Sequence, residues 1–126
     1  MKAGELFRFL GIADIHYWMI ISDPQIDPDK VLLVSFTSFD RFNDQACVLN
    51  VGDHPVIVHK TTVEYPRAKV TTDSALESLR SAGRLDFFAP LEPQLLTKIR
   101  NGAMTSTRIQ IEVAQILIDQ GLVKDI

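Results

Sequence analysis

Between residues 16 and 22 the chain reads HYWMIIS, with apolar side chains on both alternating faces. His16, Trp18, Ile20 and Ser22 share one face; Tyr17, Met19 and Ile21 share the other. Successive side chains of a strand point to opposite sides, so this pattern predicts a strand covered on both. ELFRFLG, after Gly4, predicts a strand before it. VLLVSFTS, rich in β-branched and aromatic residues, predicts one after it, with apolar character fading at Ser35, Thr37 and Ser38. The two Asp-Pro pairs of DPQIDPDK predict the intervening turn, because proline restricts the residue before it and lacks an amide donor. ACVLNV predicts a further strand, ended by the turn signal GDHP, in which Asp53 is expected to accept from nearby backbone amides. VIVHKTTVEYPRAKV continues in extended style until Pro66, which places that part at a sheet edge or a bulge.

Past about residue 71 the spacing turns helical. SALE at Ser74–Glu77 has the form of a capping box. Ala75, Leu76, Leu79 and Ala82 follow as an apolar stripe, with Gly83 suited to the C-terminal cap. EPQLLTKIRNG places Pro93 in a first turn, sets Leu95, Leu96 and Ile99 on one face and predicts a stop at Gly102. A last helix is expected from Arg108 to Gln120, with Ile109, Val113, Ile116 and Leu117 at helical spacing. The pattern therefore predicts one α+β domain over residues 1–126. Residues 1–71 are mainly β, and two or three helices in residues 72–126 pack on them.

Composition narrows the chemistry. With 126 residues, 46% hydrophobic, the chain can bury a core without disulfides or metals. A net charge of −3 gives no general attraction to nucleic acid or anionic membranes, so a polyanion would need a local basic patch. The single cysteine, Cys47, excludes a disulfide within the chain and, lying in an apolar run, is expected to be a buried, inert thiol. The opening MKAGELFRFLG is broken by Glu5 and Arg8, unlike a signal peptide, and no apolar run approaches the roughly 20 residues of a membrane helix. A cytoplasmic protein with no membrane association is the expectation. There is no glycine-rich phosphate loop, no paired-cysteine zinc pattern, no HExxH and no Gly-x-Ser-x-Gly elbow. His16, His54 and His59 show no metal-ligand spacing, so we expect neither a metal nor a cofactor.

The order of these pieces resembles the MazF/PemK toxin family. KAGELFRF is similar to its opening strand, HYWMIIS to the second, VLLVSFTS to the strand closing on a threonine, and CVLNVGD to the next strand with its Gly-Asp. KTTVEYPRAKVTT, LESLRSAGRL and PLEPQLLTKIRNGAM resemble the segments that follow, over residues 1 to about 105; the helix from Arg108 lies beyond the likeness. The resemblance implies a small SH3-like antiparallel β-barrel with added helices. It further implies metal-independent endoribonuclease activity on single-stranded RNA, a homodimer, and an antitoxin protein as partner. The family's threonine falls on Thr37. Where the family carries a strand-start arginine followed by proline, this chain has His16 and Tyr17, and the preceding loop GIAD is shorter.

Metal-free RNA cleavage needs a base for the ribose hydroxyl, donors or a cation for the phosphorane, and an acid for the leaving oxygen. His16 has the chemistry of base or acid but not the bidentate fork of an arginine. The candidate centre is therefore His16, Thr37 and Arg41, or Arg67 in place of Arg41 as the cation. Ser38, Lys60, Arg67 and Tyr65 are candidates for substrate binding: a hydroxyl donor, two cations and a stacking ring. Each has a plainer reading, as a strand-end polar residue, a solvated charge or a core ring. A barrel of the same scaffold that only binds RNA or a partner protein is the alternative, and a stand-alone interaction module using the last helix is a third. All rest on one expectation: the first seventy residues curl up so that an imidazole and a hydroxyl at two neighbouring strand mouths face one groove.

Overall fold

A computed structural model describes residues 1–13 and 15–124. Its strands are β1 (Leu6–Phe9), β2 (Trp18–Ile20), β3 (Val31–Ser38), β4 (Val48–Leu49), β5 (Thr61–Val63), β6 (Lys69–Thr71) and β7 (Leu85–Phe88). Its helices are α1 (Asp73–Ser81), α2 (Pro93–Thr105) and α3 (Ile111–Asp119). The α+β class is as expected. The sheet is antiparallel throughout, in the order β4-β5-β3-β2-β1-β7, with β6 also on β3. Among the described residues no ladder joins β4 to β7, so the path is an open sheet where a closed barrel was expected.

β3 is the spine. One edge pairs with β2, and the other with β6 along its first half and β5 along its second. Pro66 is what splits the latter two. It sits in a 3₁₀ turn, Tyr65–Arg67, that steps the chain out of the ladder and back. The expected edge or bulge is thus a turn between two strands, and β5 lies inside the sheet, between β3 and β4.

Both faces of the sheet are covered, which explains the doubly apolar strands. On one face Met19, Ile21, Leu32 and Val34 pack with Leu95, Leu96 and Ile99 of α2 and Val113 and Leu117 of α3. On the other, Phe7, Trp18, Ile20, Val31 and Leu33 pack with Leu76 of α1 and with Leu85. Burying a side chain of this size contributes roughly 1.5–3 kcal/mol.

The helix ends depart from expectation by a few residues. α1 is capped by Thr72, not Ser74: Thr72 is extended, and its hydroxyl accepts from the amide of Ala75 at 3.1 Å. Thr72→Ala is expected to cost about 1 kcal/mol in urea unfolding, whereas Ser74→Ala is expected to be near neutral. α2 runs through Gly102 to Thr105. Gly102 is a point of contact, not a stop: the Tyr65 hydroxyl reaches over it to donate to the Ile99 carbonyl at 2.7 Å. α3 begins at Ile111, three positions after the expected start, because the Ser106 hydroxyl accepts from the amides of Arg108 and Ile109 and holds them in a turn. β7 was not expected as a strand; all four of its residues pair with β1.

Candidate functional site

β2 and β5 both run antiparallel to β3, so the end of β3 meets the starts of both neighbours. Trp18 pairs with Ser35, and the Phe36 amide donates to the Tyr17 carbonyl at 3.3 Å. His16 follows outward, at the level of Thr37. On the other edge Thr37 pairs with Thr62 and Ser38 with Thr61, and the Phe39 amide donates to the Lys60 carbonyl at 3.0 Å. A groove of about 420 Å³ opens here, lined by His16, Thr37, Ser38, His59 and Thr61 and walled by Tyr17, Phe36, Val56 and Ile57. Ile15 and Val58 form an exposed apolar rim. The volume lies within the roughly 300–1,000 Å³ of sites that hold small ligands.

His16 is half-buried and forms a wall shared with a second pocket, lined by Trp18, Ser35, Glu64, Arg67 and Lys69. Its Nε2 stands 3.8 Å from Glu64 Oε2. Glu64 is mostly buried; it accepts from the Ser35 hydroxyl at 3.5 Å and lies 3.9 Å from Arg67 Nε. A carboxylate behind an imidazole stabilises the imidazolium formed when the ring takes a proton. Glu64 escaped the sequence analysis because its partner lies 48 residues earlier in the chain. His59 escaped it too: Ser38 Oγ lies 2.8 Å from its Nε2, a contact set only by the β3–β5 register.

The groove thus gathers His16, Thr37 and Ser38, and Arg67 lies in the adjoining pocket. Three other candidates are elsewhere. Arg41 lies outside the groove because the Asp40 carboxylate accepts from the Phe42 amide at 2.9 Å and turns the chain away. Its guanidinium sits 4.7 Å from the centre of the Phe42 ring, beside a separate cleft that it lines with Arg108. Lys60 lays its ammonium 4.0 Å from the centre of the Phe39 ring and does not line the groove. Tyr65 is fully buried, so its ring offers no face to a base; burial raises its phenol pKa far above the ordinary value. Of the loop GIAD, Asp14 lies outside the described residues.

The remaining reactive groups are structural. His54 is buried: its Nε2 lies 2.7 Å from the Ala89 carbonyl and its Nδ1 accepts from the Val56 amide at 3.1 Å, which fixes the Nε2–H tautomer. Asp53 accepts from the Asn50 amide at 2.7 Å, closing the expected turn. Cys47 is buried, and burial pushes its thiol pKa up, as befits an inert core thiol. Among the described residues, no group of three or more His, Cys, Asp or Glu is placed to hold a metal ion, and no helix is long and apolar enough to cross a membrane.

No protein-family model matches the chain, and no curated protein matches it in sequence. A solved structure does match: an endoribonuclease in complex with its cognate antitoxin, from a mycobacterial species. The TM-score is 0.55 at 16% identity, over 83% of this chain and 92% of that one. At this identity the likeness is one of architecture: the chain has the fold of an endoribonuclease that is found bound to an antitoxin.

Proposed function

We propose that the protein is a metal-independent endoribonuclease of toxin–antitoxin type, cleaving single-stranded RNA in the groove at the end of β3. The observation that carries this reading is the convergence of His16, Thr37 and Ser38 in one groove, on an architecture shared with an endoribonuclease. His16 removes the proton of the ribose 2′-hydroxyl, with the Glu64 carboxylate behind it to stabilise the resulting imidazolium. The hydroxyl of Thr37, level with His16 on the same face of the sheet, donates to the phosphate oxygens as charge develops there. Arg67 and Lys69, in the adjoining pocket, draw in the backbone of the strand. Tyr17, half-buried in the groove wall, receives a base. The acting form is a homodimer, and its regulator is an antitoxin protein.

One observation favours a second reading, a scaffold that binds RNA or a protein without cutting: among the described residues, the groove lining has no lysine or arginine. A single experiment separates the two. Purified protein is incubated with single-stranded RNA in EDTA, over a range of salt. Cleavage that persists in EDTA and weakens with salt is expected. Salt-dependent binding that leaves the RNA whole favours the second reading. Neither binding nor cleavage removes RNA as the substrate.

A further inference from the structure

We propose that Arg67 is the catalytic cation of the cleavage site, held over β3 by Glu64 and donating to the reacting phosphate beside His16 and Thr37. The proposal rests on the cleavage reading above and deepens it, since that reading gives the phosphate a base and a hydroxyl but no cation at the reacting centre.

Register and pleat put the parts on one face of the sheet. Side chains two residues apart along a strand share a face, so Ser35 and Thr37 point the same way. Trp18 pairs with Ser35, which brings His16 level with Thr37 on that face. On the other edge Val63 pairs with Phe36, and the Glu64 amide donates to the Ser35 carbonyl at 2.8 Å, so Glu64 shares the face as well. Its carboxylate is anchored there, accepting from the Ser35 hydroxyl at 3.5 Å. The 3₁₀ turn that follows ends at Arg67, whose side chain reaches back until its Nε stands 3.9 Å from Glu64 Oε1. The guanidinium is therefore beside the row of Ser35, about 7 Å along β3 from the row of His16 and Thr37. His16, Ser35, Glu64 and Arg67 line one pocket of about 430 Å³.

One carboxylate serves both groups. Its Oε2 faces His16 Nε2 at 3.8 Å, and its Oε1 faces Arg67. Neither separation is short enough for a hydrogen bond, so Glu64 attracts the guanidinium without using its donors. A bidentate pair would have consumed them. Among the described residues no acceptor binds Nη1 or Nη2, and the Arg67 side chain is 69% exposed, open to a strand arriving from solvent. Lys69 adds a second positive charge to the same pocket, so Glu64 does not cancel its attraction for a phosphate.

The 2′-hydroxyl passes its proton to His16 as its oxygen bonds to phosphorus. The bond from phosphorus to the 5′-oxygen breaks, and that oxygen takes a proton from water. The hydroxide left behind collects the proton from His16. The products are a 2′,3′-cyclic phosphate and a 5′-hydroxyl. Between these events charge gathers on the non-bridging oxygens, where the guanidinium fork donates two bonds. Arg67 stays protonated throughout.

The test measures cleavage over a range of RNA concentration, in EDTA, by wild type and Arg67→Ala. Each is supplemented with guanidinium chloride or with sodium chloride at the same ionic strength, at concentrations that leave the thermal melts unchanged. Arg67→Ala is expected to lose about 100-fold to 1,000-fold in kcat, as when one donor to a developing oxyanion is removed, with KM changed far less. Guanidinium, and not sodium, is expected to restore part of that rate, because the free cation enters the space the side chain leaves. A purely structural role would show no such rescue. An Arg67→Ala protein as fast as wild type, a loss confined to KM, or a loss of kcat that guanidinium leaves untouched overturns the role of Arg67 and leaves the cleavage reading standing. A wild-type protein that leaves the RNA whole overturns both.

Discussion

His16→Ala is expected to lower the rate of RNA cleavage by roughly 100-fold to 10,000-fold, the range that a positioned acid or base contributes. The loss should fall on kcat more than on KM, because the imidazole acts as the proton moves, whereas the groove's apolar wall and hydroxyls still hold the strand. Glu64→Gln is expected to cost less. It keeps the size of the side chain that faces His16 Nε2 at 3.8 Å and removes only the charge that stabilises the imidazolium. Single-turnover rates with excess protein, read beside thermal melts of each variant, separate chemistry from folding. A fully folded His16→Ala protein that cuts at the wild-type rate removes His16 from the mechanism, and with it the groove as the active site.

The second large effect is on stability. A Cβ at Gly102 would fall inside contact distance of the Tyr65 hydroxyl and 2.8 Å from Cys47 Cβ. These neighbours are buried and have nowhere to move. The Tyr65 hydroxyl would have to give up its bond to the Ile99 carbonyl. Alanine gains about 1 kcal/mol over glycine in a helix interior. Overpacking a tight core costs about 1–3 kcal/mol or more, and a lost buried hydrogen bond costs about 1–3 kcal/mol further. Gly102→Ala is therefore expected to destabilise the protein by about 3 kcal/mol in urea unfolding. Removing the offending oxygen should relieve much of this, so Tyr65→Phe with Gly102→Ala should cost clearly less than the two changes summed. A Gly102→Ala protein as stable as the wild type would mean that α2 and the turn at Tyr65 do not meet as described.

How far the fold was legible follows from range. β3 matches its predicted segment because eight consecutive residues carry a strand signal that no turn residue interrupts. HYWMIIS was rightly read as covered on both faces, since a strand's alternation needs only its own neighbours. Gly102 misled for the opposite reason. Glycine ends helices when nothing else demands it, and only the approach of Tyr65, 37 residues earlier in the chain, shows that it is there to be small. β7 was missed because LDFF is too short to show a period, and its partner is the first strand of the chain.

The same division runs through the site. The sequence alone determined that the chain would form an α+β fold, that a strand would end on Thr37 and Ser38, and that His16 would stand at the mouth of another. These follow from local backbone preference and from apolar periodicity, both written in adjacent residues. The tertiary structure alone decided that the sheet stays open, that Tyr65 is buried, that Glu64 comes to His16 and that His59 comes to Ser38. Those outcomes depend on strand order and register, which bring together residues 21 or more positions apart. The free energy that selects one register is the burial of apolar side chains on both faces of the sheet, a sum over the whole chain that no short window of sequence displays.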